Sequence, residues 1–448
     1  MSRLHEKKII VIGCGFAGLN VSLPLAKAKY ALTVIDKTNH HLFQPLLYQV
    51  ATAALSPGEI GIPIREILKK HKNTYVIMAN VSSIHKDEKK VLLENGDEMS
   101  YDYLVVGVGA RHSYFGNDAW EEHAPGLKTL HDALRLRERL LMSFEKAERC
   151  SDPKEAEKYM NFVVVGGGPT GVEMAGAISE IAYKTLKKEF LRINPRKAKI
   201  YLIESHDEVL APFPRSLRDR AMKDLKKMGV NVITGARVTN ITKEGVYLGE
   251  KFIEARNIMW AAGNEASKLL QSLDTPLDRQ GRVIVGPDLT IPDHPELFVI
   301  GDAASVSMGK DKTVPAIAPG AIQQGKYVAK IIKRDIPPQN RKPFKYFDKG
   351  MLATIGKFKA VGKSGPVKFK GFIAWLGWAF IHVFYLVGFR NRVAVMIEWL
   401  YYLFKGERNV RLINRPMFDD VSPKAKSTGQ KTVFKKVIQD KKPKGDVM

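Results

Sequence analysis

Apolar positions in this chain alternate between short unbroken runs and longer stretches with helical spacing. Residues 8–12 (KIIVI) and 161–165 (NFVVV) are too short for buried helices, and a glycine cluster closely follows each. Unbroken apolar runs bounded by turn residues predict strands covered on both faces, as in parallel sheets. Residues 8–36 therefore give strand, glycine turn, helix and strand, and 161–204 repeat that order. The two loops begin 153 residues apart, at Gly13 and Gly166, which indicates two separate units rather than a short-period repeat.

Between these units, residues 74–108 are rich in β-branched residues and end in the apolar run YLVVGVG. Residues 127–150 carry apolar residues at helical spacing and predict a connecting amphipathic helix. Residues 230–262 predict short strands, 280–302 predict strands ending at Gly301-Asp302, and 319–332 are helical again. Strands alternating with helices over 448 residues predict an α/β chain of two or three domains. The last quarter departs from this pattern. Residues 371–389 (GFIAWLGWAFIHVFYLVGF) form one apolar run dense in aromatics, followed by Arg390, Arg392 and a second apolar stretch, VAVMIEWLYYLF.

The glycine loops carry the first chemistry. In Gly13-Cys14-Gly15-Phe16-Ala17-Gly18, Gly13 permits the tight turn, Gly15 lets backbone approach a pyrophosphate, and Gly18 allows close helix packing. The helix amino terminus beyond it favours anionic charge. Asp36 closes the second strand, where a carboxylate accepts bonds from ribose hydroxyls. Lys37 and Gln44 follow in a loop expected to cover adenine or flavin. The second loop is Gly166-Gly167-Gly168-Pro169-Thr170-Gly171, and its strand-end acid is Glu204. That acid lies 33 residues past Gly171, against 18 from Gly18 to Asp36, so a longer helix and loop must intervene. A glutamate there suits the NADH ribose and repels a 2′-phosphate, and no arginine follows within SHDEV to offset that. One bound and one exchanging dinucleotide together point to hydride transfer between nicotinamide and flavin.

The order of units resembles the two-dinucleotide-binding-domain flavoproteins. By that resemblance residues 1–115 and 265–345 form a discontinuous FAD-binding domain, with Phe16, Ala17, Gly301 and Asp302 beside the cofactor. Residues 116–264 form the NADH-binding domain, and the crossover segments VVGVGA and WAAG place Gly109 and Gly263 near the cofactors. The segments HLFQPLLYQVATAALSPGEIGIPIREIL (41–68), VVVGGGPTGVEMAGAISE (163–180), LFVIGDAA (297–304) and HVFYLVGFRNR (382–392) resemble type II NADH dehydrogenases over about residues 8–416. These are single-chain, membrane-associated NADH:quinone oxidoreductases. The resemblance implies noncovalent FAD, NADH as substrate, a quinone acceptor and no proton pumping.

Glu173 falls in the first turn of the second unit's helix. In the family the matching glutamate lies beside the flavin, near nicotinamide and quinone. A buried carboxyl there has a raised pKa and can pass protons to quinone; a carboxylate held only by the helix dipole is the competing reading. The family's quinone motif, Ala-Gln-x-Ala-x-Gln, here reads Ala318-Pro319-Gly320-Ala321-Ile322-Gln323. Pro319 replaces the first glutamine and offers no donor, while it suits a helix start. Gln323 stays a candidate for flavin or quinone. His382, inside the fourth matching segment, is a structural or interfacial residue by its own sequence and a quinone neighbour by the resemblance.

The net charge of +24 selects between two kinds of anionic partner. No helix-turn-helix, zinc finger or aromatic–arginine platform supports nucleic acid, whereas the aromatic, arginine-flanked run 371–389 supports an anionic membrane surface. Nineteen residues is also long enough for a tilted transmembrane helix; His382 and the interfacial preference of Trp375, Trp378 and Tyr385 favour a helix lying in the interface. Residues 346–420 are thus expected to anchor the protein peripherally, and 421–448, with eight lysines and two aspartates, to form a flexible basic tail. The chain enters a strand without a basic-then-apolar leader, so the cytoplasmic face of the cell membrane is expected. His40 and His41 lack partners at ligand spacing, and no metal is expected. A homodimer is compatible with the sequence and not required by it. Sulfide:quinone chemistry is one rival and needs two cysteines at the flavin; Cys14 and Cys150 are poorly spaced for that. A non-catalytic, nucleotide-sensing membrane protein is the other.

Overall fold

Two parallel sheets carry the molecule, each built around one glycine loop. The computed structural model describes residues 7–310, 312–406 and 408–413; the expected tail at 421–448 and the end of the 346–420 region lie outside them. In the first sheet the strands run Thr290–Ile291, His294–Val299, Tyr103–Val106, Lys8–Ile12, Ala31–Asp36 and Thr74–Met78 across its width. All neighbours are parallel except the first pair. The central strands are apolar on both faces because helices cover both, and Ile9, Val11, Val34, Leu104 and Val105 are fully buried. The first loop helix, Phe16–Ala26, packs against helix Ala318–Lys333.

The second sheet orders Val230–Ile233, Lys199–Ile203, Asn161–Val165 and Asn257–Trp260, all parallel. Its loop helix is Pro169–Glu180, extended by a turn of π-helix at Ile181–Thr185 before the chain reaches Lys199. This extra turn and the loop after it occupy the long interval before Glu204. The predicted connecting helix spans Leu130–Arg149 and starts on a capping box, Thr129 with Asp132. Where the chain crosses between sheets, Ala110–His112 and Asn264–Ala266 pair antiparallel, so the two crossovers brace each other.

A three-stranded antiparallel sheet, Met351–Gly356, Lys359–Ser364 and Val367–Lys370, follows. Its first strand lies directly on the second loop helix: a Cβ on Gly176 would collide with the Ile355 carbonyl oxygen. Within the apolar run 371–389 the helix is Phe372–Tyr385; it stops before Leu386–Gly388, where Gly388 takes φ +87°, and the second apolar stretch forms helix Phe389–Lys405. That left-handed position suits glycine and turns the chain, a feature that hydropathy alone does not register. Among the described residues no helix is long and apolar enough to cross a membrane. Both helices are apolar on two sides. Trp378, Ala374 and Val395 face inward, while Phe372, Ile373, Phe380, Phe384, Ile397, Leu400 and Phe404 stand exposed.

Candidate active site

The two glycine loops have the same internal wiring. Gly13 N–H donates to Ile35 O at 2.7 Å, and Gly166 N–H to Ile203 O at 2.7 Å. The strand-end acids hold the loops in the same way: Asp36 accepts from Cys14 N–H at 2.6 Å, and Glu204 from Gly167 N–H at 2.6 Å. Neither loop helix has an acidic residue in its first turn, so each amino terminus keeps its positive end free for an anion. Gly15 and Gly168 form the amino caps, and a Cβ at either would meet nothing within 4 Å. The third glycines differ: a Cβ on Gly18 or Gly171 would collide with the carbonyl oxygen of Gly13 or Gly166.

This contrast gives a prediction. Gly15→Ala should fold with a melting temperature close to that of the parent protein stripped of flavin, yet purify with little flavin, because its methyl occupies space only a dinucleotide needs. Gly18→Ala should lower the melting temperature of that stripped protein itself. Flavin absorbance after purification and thermal melts of cofactor-free samples check both.

Around the first loop, Phe16 is half-buried, Ala17 buried and Lys37 exposed. Exposed Gln44 donates to Lys128 O at 3.2 Å. Gly301 is buried and its N–H donates to Gln324 Oε1 at 2.6 Å. Burial raises the pKa of Asp302, against the pull of Lys128 and Arg282, and burial lowers that of Lys128, against the pull of Asp302. A half-buried acid of this kind suits the hydroxyls of a ribityl chain, and with the open Gly15 cap these residues fit a flavin dinucleotide. Lys128 and Gln324 went unrecognised in the sequence, since neither belongs to a glycine fingerprint. Gly109 and Gly263 flank the paired crossover strands, both at positive φ. At the second loop Pro169 and Thr170 are exposed. Burial raises the Glu204 carboxyl, but bonds from His206 and Gly167 outweigh it and hold the pKa below the usual range. Glu204 therefore presents negative charge at the second loop.

Glu173 lies one turn deeper than its sequence position suggests. The helix begins at Pro169, so Glu173 is its fifth residue and stands beyond the first turn. Beyond the first turn the helix dipole has little hold on it, and burial pushes this carboxyl up to about 8 against an opposing bond from the Thr354 backbone. It opens onto a cleft shared with Tyr48, Gln49, Glu180, Trp375, Trp378, Trp399 and Arg408. Four segments far apart in sequence build that cleft: the short Leu47–Ala51 helix, the second loop helix, the Met351–Gly356 strand with Lys357, and the carboxy-terminal helices with Arg408 just beyond them.

One turn pair further along the second loop helix, Glu180 is buried and fully bonded. It accepts from Tyr402 Oη at 2.8 Å, Lys357 N–H at 2.7 Å and Arg408 Nη2 at 3.2 Å. Arg408, also buried, donates to Thr52 O at 2.6 Å, just past the Leu47–Ala51 helix. Glu180 sits at helical spacing from Glu173, a signal the sequence carried; its partner Arg408, 228 residues away, left none.

The three predicted quinone residues are placed differently. Pro319 occupies the start of helix Ala318–Lys333, as expected of a proline. Both ends of the Gln323 amide bond the Phe347 backbone, at 3.0 and 2.9 Å, so it ties down the segment entering the carboxy-terminal sheet. His382 packs on Trp378, with ring centroids 4.4 Å apart, and its Nδ1 lies 2.6 Å from Trp378 O. A carbonyl only accepts, so Nδ1 carries the hydrogen and Nε2 is left as an acceptor. Burial lowers the His382 pKa to about 4, which keeps the ring neutral at neutral pH. Among the described residues, no group of three or more His, Cys, Asp or Glu could hold a metal ion. Cys14 is buried in the first loop and Cys150 caps the Leu130–Arg149 helix; both are free.

Residues 7–325 match the pyridine nucleotide-disulphide oxidoreductase family. The chain is 46% identical over 410 residues, 88% of each chain, to the type II NADH:quinone oxidoreductase Ndh of Mycobacterium tuberculosis. Its fold resembles an NDH2 of Plasmodium falciparum solved with NADH, with a TM-score of 0.82 at 21% identity over 90% of this chain and 99% of that one. The sulfide:quinone oxidoreductase of Aquifex aeolicus is more distant in fold, with a TM-score of 0.69 at 20% identity over 89% and 95% of the two chains. Duplicated glycine loops, a strand-end acid at each, and close identity along nearly the whole chain lead to one assignment: this chain belongs to the type II NADH:quinone oxidoreductase family.

Proposed function

We propose that this protein oxidises NADH and reduces a membrane quinone without pumping protons, using noncovalent FAD at the first loop and NADH at the second. A bound flavin supplies the redox chemistry, taking hydride from the nicotinamide and passing two electrons on to quinone. The residues do the rest. Asp36 and the open Gly15 cap hold the first dinucleotide, and Glu204 selects NADH over NADPH by its charge. The observation that carries the reading is Glu173: a carboxyl with a pKa of about 8, in a cleft lined by three indoles of the carboxy-terminal helices. At pH 7 it is mostly protonated, and NADH oxidation by quinone consumes one proton from solution. Of Pro319, Gln323 and His382, only His382 stacks on a residue of the cleft wall, Trp378, while the Gln323 amide is taken up by the Phe347 backbone. Neutral His382, with Nε2 free to accept, suits a quinol hydroxyl better than a quinone carbonyl.

In vesicles loaded with the protein, NADH and quinone should be consumed one to one, NADPH should be a poor substitute, and no proton gradient should form. A gradient that follows NADH oxidation, or equal use of NADPH, contradicts this reading.

The exposed faces of the two carboxy-terminal helices, flanked by Arg390 and Lys405, suit insertion into the interface of an anionic membrane, on the cytoplasmic side of the cell membrane. The protein should float with anionic liposomes even in high salt, because apolar burial is not screened. Phe380→Ser with Phe404→Ser should make that binding salt-sensitive. Release of the parent protein by salt alone counts against insertion.

A further inference from the structure

The cleft around Glu173 contains a hydrogen-bond chain whose direction is fixed from one end. Trp399 Nε1 donates to Gln49 Oε1 at 2.8 Å. An indole N–H only donates, so the Gln49 amide has one orientation, with its nitrogen turned the other way. That nitrogen donates to Tyr48 Oη at 2.9 Å. Tyr48 Oη is therefore the acceptor in this bond, and its own hydrogen must point elsewhere. Tyr48 and Gln49 are both buried, and burial pushes the phenol far above the ordinary tyrosine range, so it stays a neutral donor.

The charged groups acting on this phenol are Glu173 and Glu180 from the second loop helix and Arg408 from the segment after the last helix. Arg408 offers no acceptor. Glu180 is already bonded by Tyr402, Lys357 and Arg408, with Lys184 at 3.6 Å. Among the described residues Glu173 has only the Thr354 backbone bond, and it acts on the phenol more strongly than either other group. It is the carboxyl with acceptor capacity to spare.

We propose that Tyr48 is a positioning residue for the proton on Glu173: when Glu173 has given its proton to the acceptor, the Tyr48 hydroxyl bonds the carboxylate, and Trp399 through Gln49 keeps that hydroxyl aimed. Tyr48 keeps its own proton, and Glu173 regains one from water. This rests on the NADH:quinone reading above. Its consequence is that Trp399, on a membrane-facing helix, sets the proton affinity of a carboxyl in the cleft.

The test is the pH profile of quinone-dependent NADH oxidation by the full-length, membrane-bound protein. Removing a donor to a carboxylate raises its pKa, so Tyr48→Phe should move the alkaline limb upward by about one pH unit. Trp399→Phe, which keeps an aromatic ring but frees the Gln49 amide to flip, should move it the same way by less. A merely structural role lowers turnover at every pH and leaves the limb in place. Limbs coincident with the parent protein in both variants overturn the proposal, and so does a downward shift. If Tyr48→Phe does not retain flavin, Trp399→Phe decides by the same criterion. Absence of quinone-dependent turnover in the parent protein at any pH is a different failure, and it removes the functional reading itself.

Discussion

Glu173→Gln is expected to slow quinone-dependent turnover by about 10²–10⁴-fold, the usual contribution of a positioned general acid. Gln keeps the volume and a hydrogen-bonding amide but carries no transferable proton. The parent protein should show the matching pH dependence. Its carboxyl titrates at about 8, so turnover should hold on the acid side and fall as the pH rises through that value. The variant's profile should lack that limb. Stability should move the other way. Burial makes ionised Glu173 unfavourable in the folded state, and between pH 4.5 and about 8 the folded protein holds a proton that the unfolded chain has lost. That penalty is absent below 4.5 and grows as pH rises through this window. Glu173→Gln should therefore be less active and, near pH 8, more stable. Denaturant titrations at pH 5 and pH 8 check the sign; a variant gaining stability only at pH 5 is inconsistent with a raised carboxyl.

Arg408→Met should destabilise the fold by about 3–5 kcal/mol, the usual cost of leaving one member of a buried ion pair without its partner. Glu180 would keep Tyr402, Lys357 and the more distant Lys184, but lose the buried Arg408 cation that faces it, and Thr52 O would lose its donor. Adding Glu180→Gln should recover most of the loss, because removing both charges also removes the burial penalty. The pair carries a pH signature as well. Burial raises the Glu180 carboxyl, but Arg408, Lys184 and the bonds from Lys357 and Tyr402 outweigh it and hold the pKa below the usual 4.5. Its contribution is thus present above pH 4.5 and lost as pH falls through the lowered value. Urea midpoints of the single and double variants test this. Equal midpoints for Arg408→Met and the parent protein contradict the structural role given to the pair.

Much of this was legible in the residues. Strand, glycine turn, helix and strand follow from local periodicity, so both loops and their strand-end acids appear where the pattern puts them. Glu173 was found because it stands just past a fingerprint. The walls of its cleft could not be found this way. Gln49 meets Trp399 across 350 residues and Arg408 meets Thr52 across 356, and no local pattern encodes a contact at that separation. Tyr48 and Gln49 lie in a segment whose apolar neighbours mask them. In the run 371–389 the composition is continuous, and only the backbone shows that the helix stops at Tyr385, ahead of Gly388 at positive φ. Gln323 shows a third limit. Its spacing marked it for a ligand, yet its amide holds Phe347, since a polar side chain takes whichever partners the fold brings near.

The central claim is that electrons pass from NADH through a bound flavin to quinone. Anaerobic stopped-flow absorbance of the purified, flavin-loaded protein tests it directly. The account predicts that NADH bleaches the flavin band and that a quinone added afterwards restores it within the time of one turnover. A flavin that NADH leaves oxidised, or that stays bleached in the presence of quinone, would contradict the account.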